Sequence, residues 1–230
     1  MRNLDESIKG LREHYLELLK NLNRVLDINI EMLEKSSFDK TLYGECLIVE
    51  DTINNFEVKI KEDSIFTMAR FQPAAGNLRL LIMLINSARL IERMGDILKA
   101  NLKIIKAIEK DSPEMKKELK NIIYPIAIKT KNIYEGYINA FIKSDEKILF
   151  SLLTMDEEID TLTKEDTETI IELMKKKPEN IQSGTDLILL CKKLERFADH
   201  ILHLVFDLIY ILKGENMRKI ELLEERKIYN

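Results

Sequence analysis

Apolar residues recur every three or four positions along most of this chain, which is the period of one face of an α-helix. The clearest run opens the chain with alternating steps of four and three: Leu4, Ile8, Leu11, Tyr15, Leu18, Leu22 and Val25. This stepping is typical of a coiled-coil seam and predicts a first helix over roughly residues 4–34. The two-residue alternation of a half-buried strand is absent from the sequence. The pattern therefore predicts an all-α protein.

Capping residues and helix breakers divide the rest of the pattern into five further helices. They are predicted over roughly residues 38–71, 78–110, 113–144, 145–176 and 181–212. Ser36-Ser37 and Ser144 are the predicted N-caps of the second and fifth helices. Pro125 inside the fourth helix predicts a kink or a later true start, because proline lacks the amide hydrogen that a helix interior needs.

One segment of the third predicted helix returns in the sixth. Residues 89–96 read Arg-Leu-Ile-Glu-Arg-Met-Gly-Asp, and residues 192–199 read Lys-Lys-Leu-Glu-Arg-Phe-Ala-Asp, without a gap. A repeat of this kind indicates two similar halves. We therefore predict two tandem three-helix bundles over 1–110 and 111–214, followed by a charged, frayed tail over 215–230. One continuous six-helix bundle is the alternative.

Each copy of the repeat places a glutamate and an aspartate four residues apart: Glu92 with Asp96, and Glu195 with Asp199. On a helix such side chains share one face, roughly 5–6 Å apart at Cβ. Paired carboxylates are ligands for hard cations, so the spacing fits a metal site as well as a solvated acidic face. His203 lies on the same face and fits either a transition-metal ligand or a surface imidazole near a helix C-terminus.

Composition narrows the function classes. The chain has 7 glycines, 4 prolines, 33% charged and 45% hydrophobic residues, which suits long amphipathic helices. A net charge of -4 argues against nucleic-acid binding. The longest uncharged apolar run, Leu80 to Ile85, is too short to span a bilayer, and the N-terminus shows no signal-peptide pattern. The distant Cys46 and Cys191 predict reduced core thiols in a cytoplasmic protein.

Several segments resemble one family. Residues 92–96, Glu-Arg-Met-Gly-Asp, resemble the Glu-Arg-Ile-Gly-Asp signature of the PhoU family of phosphate-uptake regulators, and residues 195–200 resemble its second copy. The connector over 72–79 is similar to the family's Gln-Pro-x-Ala-x-Asp-Leu-Arg, although Asn77 replaces its aspartate. Lys213-Gly214-Glu215 resembles the closing motif, so the likeness covers roughly residues 5–216.

The resemblance implies a cytoplasmic accessory protein, often a homodimer, with no catalytic reaction of its own. It implies a negative regulator of phosphate uptake and phosphate homeostasis that acts on the phosphate ABC transporter. We therefore expect the ATPase subunit of that transporter as a partner and, as in many bacteria, a sensor histidine kinase. We expect neither nucleic-acid binding nor direct insertion into a membrane.

The resemblance also implies metal binding, since some members hold iron or zinc clusters through Glu(Asp)-x-x-x-Asp pairs on two helices of each bundle. The residues that match these pairs are Glu92, Asp96, Glu195 and Asp199, facing Asp156 and Asp160 in the second half and Glu50 and Asn54 in the first. Asn54 brings no charge, and Lys61 follows Glu57 where the family often has an acid. We therefore predict a divalent or ferric ion, iron or zinc, held more tightly by the second half, with His203 as a further ligand.

Two other functions stay open at this point. A helical scaffold that binds a partner without metal has the same pattern of apolar positions. A ferritin-like di-iron carboxylate enzyme needs Glu-x-x-His on two helices, and neither His14, His200 nor His203 has a glutamate three residues before it.

Overall fold

The computed structural model describes residues 3–111 and 113–214, and the side chains of residues 111, 113, 156 and 157 lie outside the described part. The α-helices are α1 (Leu4–Lys35), α2 (Lys40–Phe71), α3 (Ala75–Asp111), α4 (Pro113–Lys116), α5 (Tyr124–Lys143), α6 (Glu146–Leu153), α7 (Asp156–Lys176) and α8 (Ile181–Lys213). Within the described ranges no strand occurs, so the predicted all-α fold is confirmed. The predicted tail over 215–230 lies outside the described residues.

The predicted caps are displaced by a few residues. Ser36 and Ser144 are not N-caps but end α1 and α5 in the left-handed region, with φ of 49° and 53°. The N-caps are Asp39 and Asp145, whose carboxylates accept hydrogen bonds from the first amides of α2 and α6. The connections are so short that the serines are needed to reverse the chain, and the next aspartate then starts the following helix.

The fourth predicted helix contains an irregular turn. Leu119–Ile123 form a π-helical turn, and α5 begins at Tyr124 with Pro125 in its first turn. Proline tolerates a first-turn position because it has no amide hydrogen to satisfy there. The predicted kink or late start at Pro125 therefore appears as a new helix start after a π turn.

The prediction of one continuous fifth helix was wrong. Helix α6 ends at Leu153, and α7 begins at Asp156. The Thr154 hydroxyl donates to the Ser151 carbonyl at 3.0 Å, and the Met155 amide donates to the Leu152 carbonyl at 3.2 Å. These local bonds compete with the helical ladder and explain the break.

Helices α1, α2 and α3 pack together as one three-helix bundle, and α5, α7 and α8 form a second, with α6 against α5 and α8. The bundles share a core, because α3 lies along α8 and α1 contacts α5. At this junction the buried hydroxyls of Tyr15 and Tyr137 are 2.7 Å apart, and the Tyr134 hydroxyl donates to the Leu19 carbonyl at 2.9 Å. The halves are thus repeats that are packed and hydrogen-bonded to one another. The domain boundaries at 110/111 stay a prediction.

Two further sequence features have a clear place in the fold. Cys46 and Cys191 are free, buried thiols, and burial raises their pKa to about 11 and about 12. Thiols with such pKa values are unreactive near neutral pH. Across residues 3–111 and 113–214, every helix is too short or too polar to cross a bilayer.

Candidate cation sites in the two halves

Helix α3 carries the first acidic pair at its boundary with α2. The apolar stripe of Ile91, Met94 and Leu98 is buried in the first bundle. Gly95 faces α2, because a Cβ there would make an ordinary contact with the Ile53 side chain at 3.6 Å. Because the core stripe fixes the rotation of α3, the neighbouring positions 92 and 96 face the acidic side of α2.

The carboxylates of Glu50 and Asp96 are bridged by one ammonium group. Lys99 Nζ donates to a carboxylate oxygen of Glu50 on α2 and lies 2.9 Å from Asp96 Oδ1. The Lys99 and Glu50 side chains are only 22% and 12% exposed. Burial lowers the pKa of Lys99, but its hydrogen bonds to the two carboxylates outweigh that effect and raise the pKa to about 12. The position between these acids already holds a positive charge.

Glu92 lies in a more acidic part of the same surface. Its pKa is raised by burial first and then by repulsion from Asp96 and Glu57. Between Glu50 and Glu57 on α2, the side-chain oxygen Oδ1 of Asn54 is buried without a hydrogen-bond partner. The first half therefore crowds several acids, of which Lys99 contacts two.

The second acidic pair lies on α8, opposite α7. The pKa of Asp199 is raised by burial, then by Asp160 on α7 and Glu195 on its own helix, while His203 opposes the shift. Lys192 pairs with Glu195 from an exposed position on the same helix, with 56% of its side chain in solvent. The structure thus brings Asp160, Glu195, Asp199 and His203 into one electrostatic neighbourhood.

Among the side chains that the structure describes, no group of three or more His, Cys, Asp or Glu residues is placed to hold a metal ion. The predicted ligand Asp156 belongs to α7, but its side chain lies outside the described part. The assignment of metal ligands therefore stays a prediction for both halves.

The chemistry of the two donor sets nevertheless differs. The second half offers carboxylates and an imidazole, which fit iron or zinc. At Glu50 and Asp96 the residues do not fit a metal, because the Lys99 ammonium occupies the space between them and cannot act as a ligand.

Lys99 is the residue that sequence reasoning missed. From the sequence it belongs to the polar side of α3, beyond Asp96. Its spacing of three from Asp96 was a usable signal, since such positions are neighbours on a helix. Its second partner, Glu50, comes from another helix, 49 residues away, and only the packing of α2 against α3 reveals it.

Comparison with known proteins matches both halves of this chain to one family. The model of the PhoU domain matches residues 16–105 and 125–207, which confirms the internal repeat. The chain is 28% identical over 220 residues to the phosphate-specific transport system accessory protein PhoU homolog 1 of Thermotoga maritima, covering 94% of this chain and 92% of that protein. It is also 28% identical over 223 residues to a homologue of the same description from Pseudomonas aeruginosa, covering 96% and 90%.

Two solved structures share the fold. The crystal structure of PhoU from Pseudomonas aeruginosa matches with a TM-score of 0.84 and 24% identity, covering 93% of this chain and all of that one. The phosphate transport system regulatory protein PhoU from Streptococcus pneumoniae matches with a TM-score of 0.80 and 23% identity, covering 93% and 98%. The arrangement of two three-helix bundles is therefore a recurrent one.

Proposed function

This chain belongs to the PhoU domain family, and from that premise we propose that it is a negative regulator of phosphate uptake. The family consists of regulatory accessory proteins and not of enzymes. The observation that carries the proposal is the match of both halves to the family model. In addition, the relatives that align with more than nine-tenths of this chain are described as accessory proteins of phosphate-specific transport.

The proposed partner is the ATPase subunit of the phosphate ABC transporter, with a sensor histidine kinase as a second partner in the same regulation. An accessory protein of a transport system needs a surface for its partner. Helix α2 offers one, because Ile48, Val58 and Phe66 are 69%, 50% and 59% exposed along it. These side chains are the contacts that we propose for the partner, since exposed apolar surface marks a contact site where it forms a patch.

The binding test is recovery of the ATPase subunit from a native lysate of cells grown with ample phosphate. The bait is the full chain, compared with a variant carrying Ile48→Asp and Phe66→Asp. A matched control carries Ile142→Asp on α5, where the side chain is 55% exposed. We expect the wild type and the control to recover the subunit and the α2 variant to lose it. Failure of the wild type to recover it contradicts the proposal.

The physiological test is deletion of the gene. We expect phosphate uptake to continue unrestrained in the deletion strain when phosphate is plentiful, because the restraint on the transporter is gone. The measurement is the uptake of labelled phosphate, with a strain complemented by the wild-type gene as the control. Normal down-regulation in a deletion strain without a second copy of such a gene argues against the role.

The proposed assembly is a homodimer in the cytoplasm. The apolar seam of α1 is buried inside this chain, so the support for a dimer comes from the resemblance to a family whose members are often homodimers. Light scattering should give a mass near twice the 26.9 kDa of one chain. A mass of one chain at every concentration rules the dimer out.

The proposed cation site lies in the second half, with Asp156, Asp160, Glu195 and Asp199 as carboxylate ligands and His203 as an imidazole ligand. Burial and then repulsion from Asp160 and Glu195 raise the pKa of Asp199, which supports the site because a bound cation stabilises the charged carboxylate against both effects. Iron or zinc suits this mixture of oxygen and nitrogen donors. A divalent ion would supply charge neutralisation that holds α7 and α8 together, whereas a metal-free scaffold would purify without it.

A further inference from the structure

The two acidic pairs differ in the residue that follows the aspartate by three positions. In the first half this residue is Lys99, and the corresponding residue of the repeat is Leu202. Lys99 Nζ contacts both Glu50 and Asp96, so it joins α2 to α3 at the place where the acids of the two helices meet. We infer that Lys99 is a built-in counter-ion that closes the Glu50–Asp96 position of the first half to metal ions.

The position of the bridge makes the ammonium hard to displace. The Lys99 and Glu50 side chains are mostly shielded from solvent, at 22% and 12% exposure, whereas Asp96 at the outer end of the bridge is 54% exposed. Breaking a shielded ion pair leaves an uncompensated charge, which is costly. The ammonium is also part of the same chain, so its pairing with the carboxylates is intramolecular, whereas a free cation must be captured from solution. A metal ion entering here must compete with a tethered charge of its own sign.

The chemistry of the two cations explains why one excludes the other. An ammonium group has three donors and no lone pair, so it satisfies carboxylates but cannot join a metal's ligand shell. An ammonium and a divalent ion within a few ångströms of each other also repel strongly. The Glu50–Asp96 position therefore accommodates Lys99 or a metal ion, but not both.

The second half has the opposite arrangement at this position. Leu202 carries no charge, and the next residue, His203, offers an imidazole that is a metal ligand. Lys192 reaches Glu195, but from a position that is 56% exposed and on the same helix. An exposed pair of this kind contributes little and yields readily to a competing ion. At the position that corresponds to Lys99, the second half therefore has no lysine to compete with a cation from solution.

Among the described side chains, Lys99 pairs with two acids of the first half and leaves its other acids uncontacted by its ammonium group. Glu57 and Glu92 belong to the same acidic surface, where burial and then repulsion from Asp96 and Glu57 raise the pKa of Glu92. These acids supply the further charge that attracts a metal ion once Lys99 is removed. The inference rests on the proposed function only in treating the acidic pairs as cation sites.

The test uses the full chain with the second half disabled by Asp199→Asn, so that bound metal reports on the first half. The proteins are stripped with a chelator, incubated with Zn²⁺, desalted and analysed for zinc. Adding Lys99→Met should raise the bound zinc by about one equivalent per chain, because one ion replaces one ammonium. Adding Lys103→Met instead, at an exposed position one turn further along α3, should change nothing.

Two results overturn the inference. One is equal zinc in the Lys99→Met and Lys103→Met proteins. The other is zinc that binds the first half while Lys99 is present and is lost on Asp96→Asn. If Lys99→Met prevents folding, Lys99→Gln keeps a hydrogen-bonding side chain without the charge, and absence of a zinc gain in that folded variant counts against the inference.

A second arm separates this inference from the proposed function. Leu202→Lys in the otherwise wild-type chain introduces an ammonium at the corresponding place of the second half, and bound zinc should fall. If the wild-type second half binds no zinc, the proposed cation site fails, while the Lys99→Met comparison still decides the role of Lys99. If the wild type binds zinc and Lys99→Met adds none, the inference fails alone.

Discussion

The two halves of this protein carry the same acidic pair on the same helix face and compensate its charge differently. In the first half, Asp96 shares Lys99 with Glu50 on the neighbouring helix. In the second half, burial and then the neighbouring acids Asp160 and Glu195 raise the pKa of Asp199. The repeat preserves where the carboxylates lie, whereas the residue three positions after the aspartate differs, and only the first half has a lysine there to pair with them. A sequence motif alone therefore does not identify a metal site.

The halves also differ in regularity. The first half consists of three unbroken helices of 32, 32 and 37 residues. In the second half, the described helices are interrupted by a π turn before Tyr124 and a break at Thr154. That break directly precedes α7, which carries Asp160. Acidic residues close to the start of a helix can adjust to a ligand more easily than acidic residues in the middle of a long, continuous helix.

The largest expected contrast between the halves is in metal content. Asp199→Asn should remove most of the bound metal, because it deletes one negative charge from the proposed carboxylate ligands of the second half, which Lys99 does not contact. Asp96→Asn should remove little, because that carboxylate already pairs with an ammonium. Elemental analysis of both variants, purified without chelator beside the wild type, decides the matter. Equal losses, or a loss only from Asp96→Asn, would show that the two halves do not differ in this way.

Much of this molecule was predictable from the sequence, and the exceptions are instructive. The helix bounds follow from apolar periodicity, which reports on one helix at a time. The N-caps were misplaced because Ser36 and Asp39 both favour helix ends, and only the geometry of the turn separates their roles. Lys99 was missed because its partner Glu50 is distant in sequence. Apolar periodicity thus predicts single helices, but it does not predict which side chains meet between helices.

A second contrast concerns glycines at helix contacts. In the second half, a Cβ at Gly184 would lie 2.3 Å from Met174 Cγ, which is too close without movement. Gly184→Ala should therefore lower the free energy of unfolding by about 1–3 kcal/mol. In the first half, a Cβ at Gly95 would make ordinary contacts, the nearest at 3.6 Å, and the repeat has Ala198 there.

Gly95→Ala should accordingly raise stability by about 0.5–1 kcal/mol, because alanine loses less backbone freedom in a helix. Denaturant unfolding of both variants measures the difference. A stabilising Gly184→Ala or a strongly destabilising Gly95→Ala would mean that the helix spacings differ from those described.

The smallest contrast involves the turn between the first two helices of each half. In the first half, Glu109 near the end of α3 accepts hydrogen bonds from the Ser37 hydroxyl at 2.9 Å and the Phe38 amide at 3.2 Å. Lys116 donates to the same carboxylate at 3.1 Å. The corresponding residue of the repeat is Leu212, which cannot anchor a turn in this way.

This anchor should make the stability of the first half depend on pH. Burial raises the pKa of Glu109, but the bonds from Lys116, Ser37 and the Phe38 amide outweigh it and hold the pKa below its ordinary value. Because the carboxylate is easier to protonate in the unfolded chain, its contribution is complete above the unfolded pKa and is lost as the pH falls through the folded pKa. Glu109→Gln should therefore cost about 1 kcal/mol at pH 7 and progressively less in acid. Unfolding temperatures of the variant and the wild type across this range measure the effect, with exposed Glu34→Gln as the control. A constant difference at all pH values would show that the anchor depends on the shape of the side chain and not on its charge.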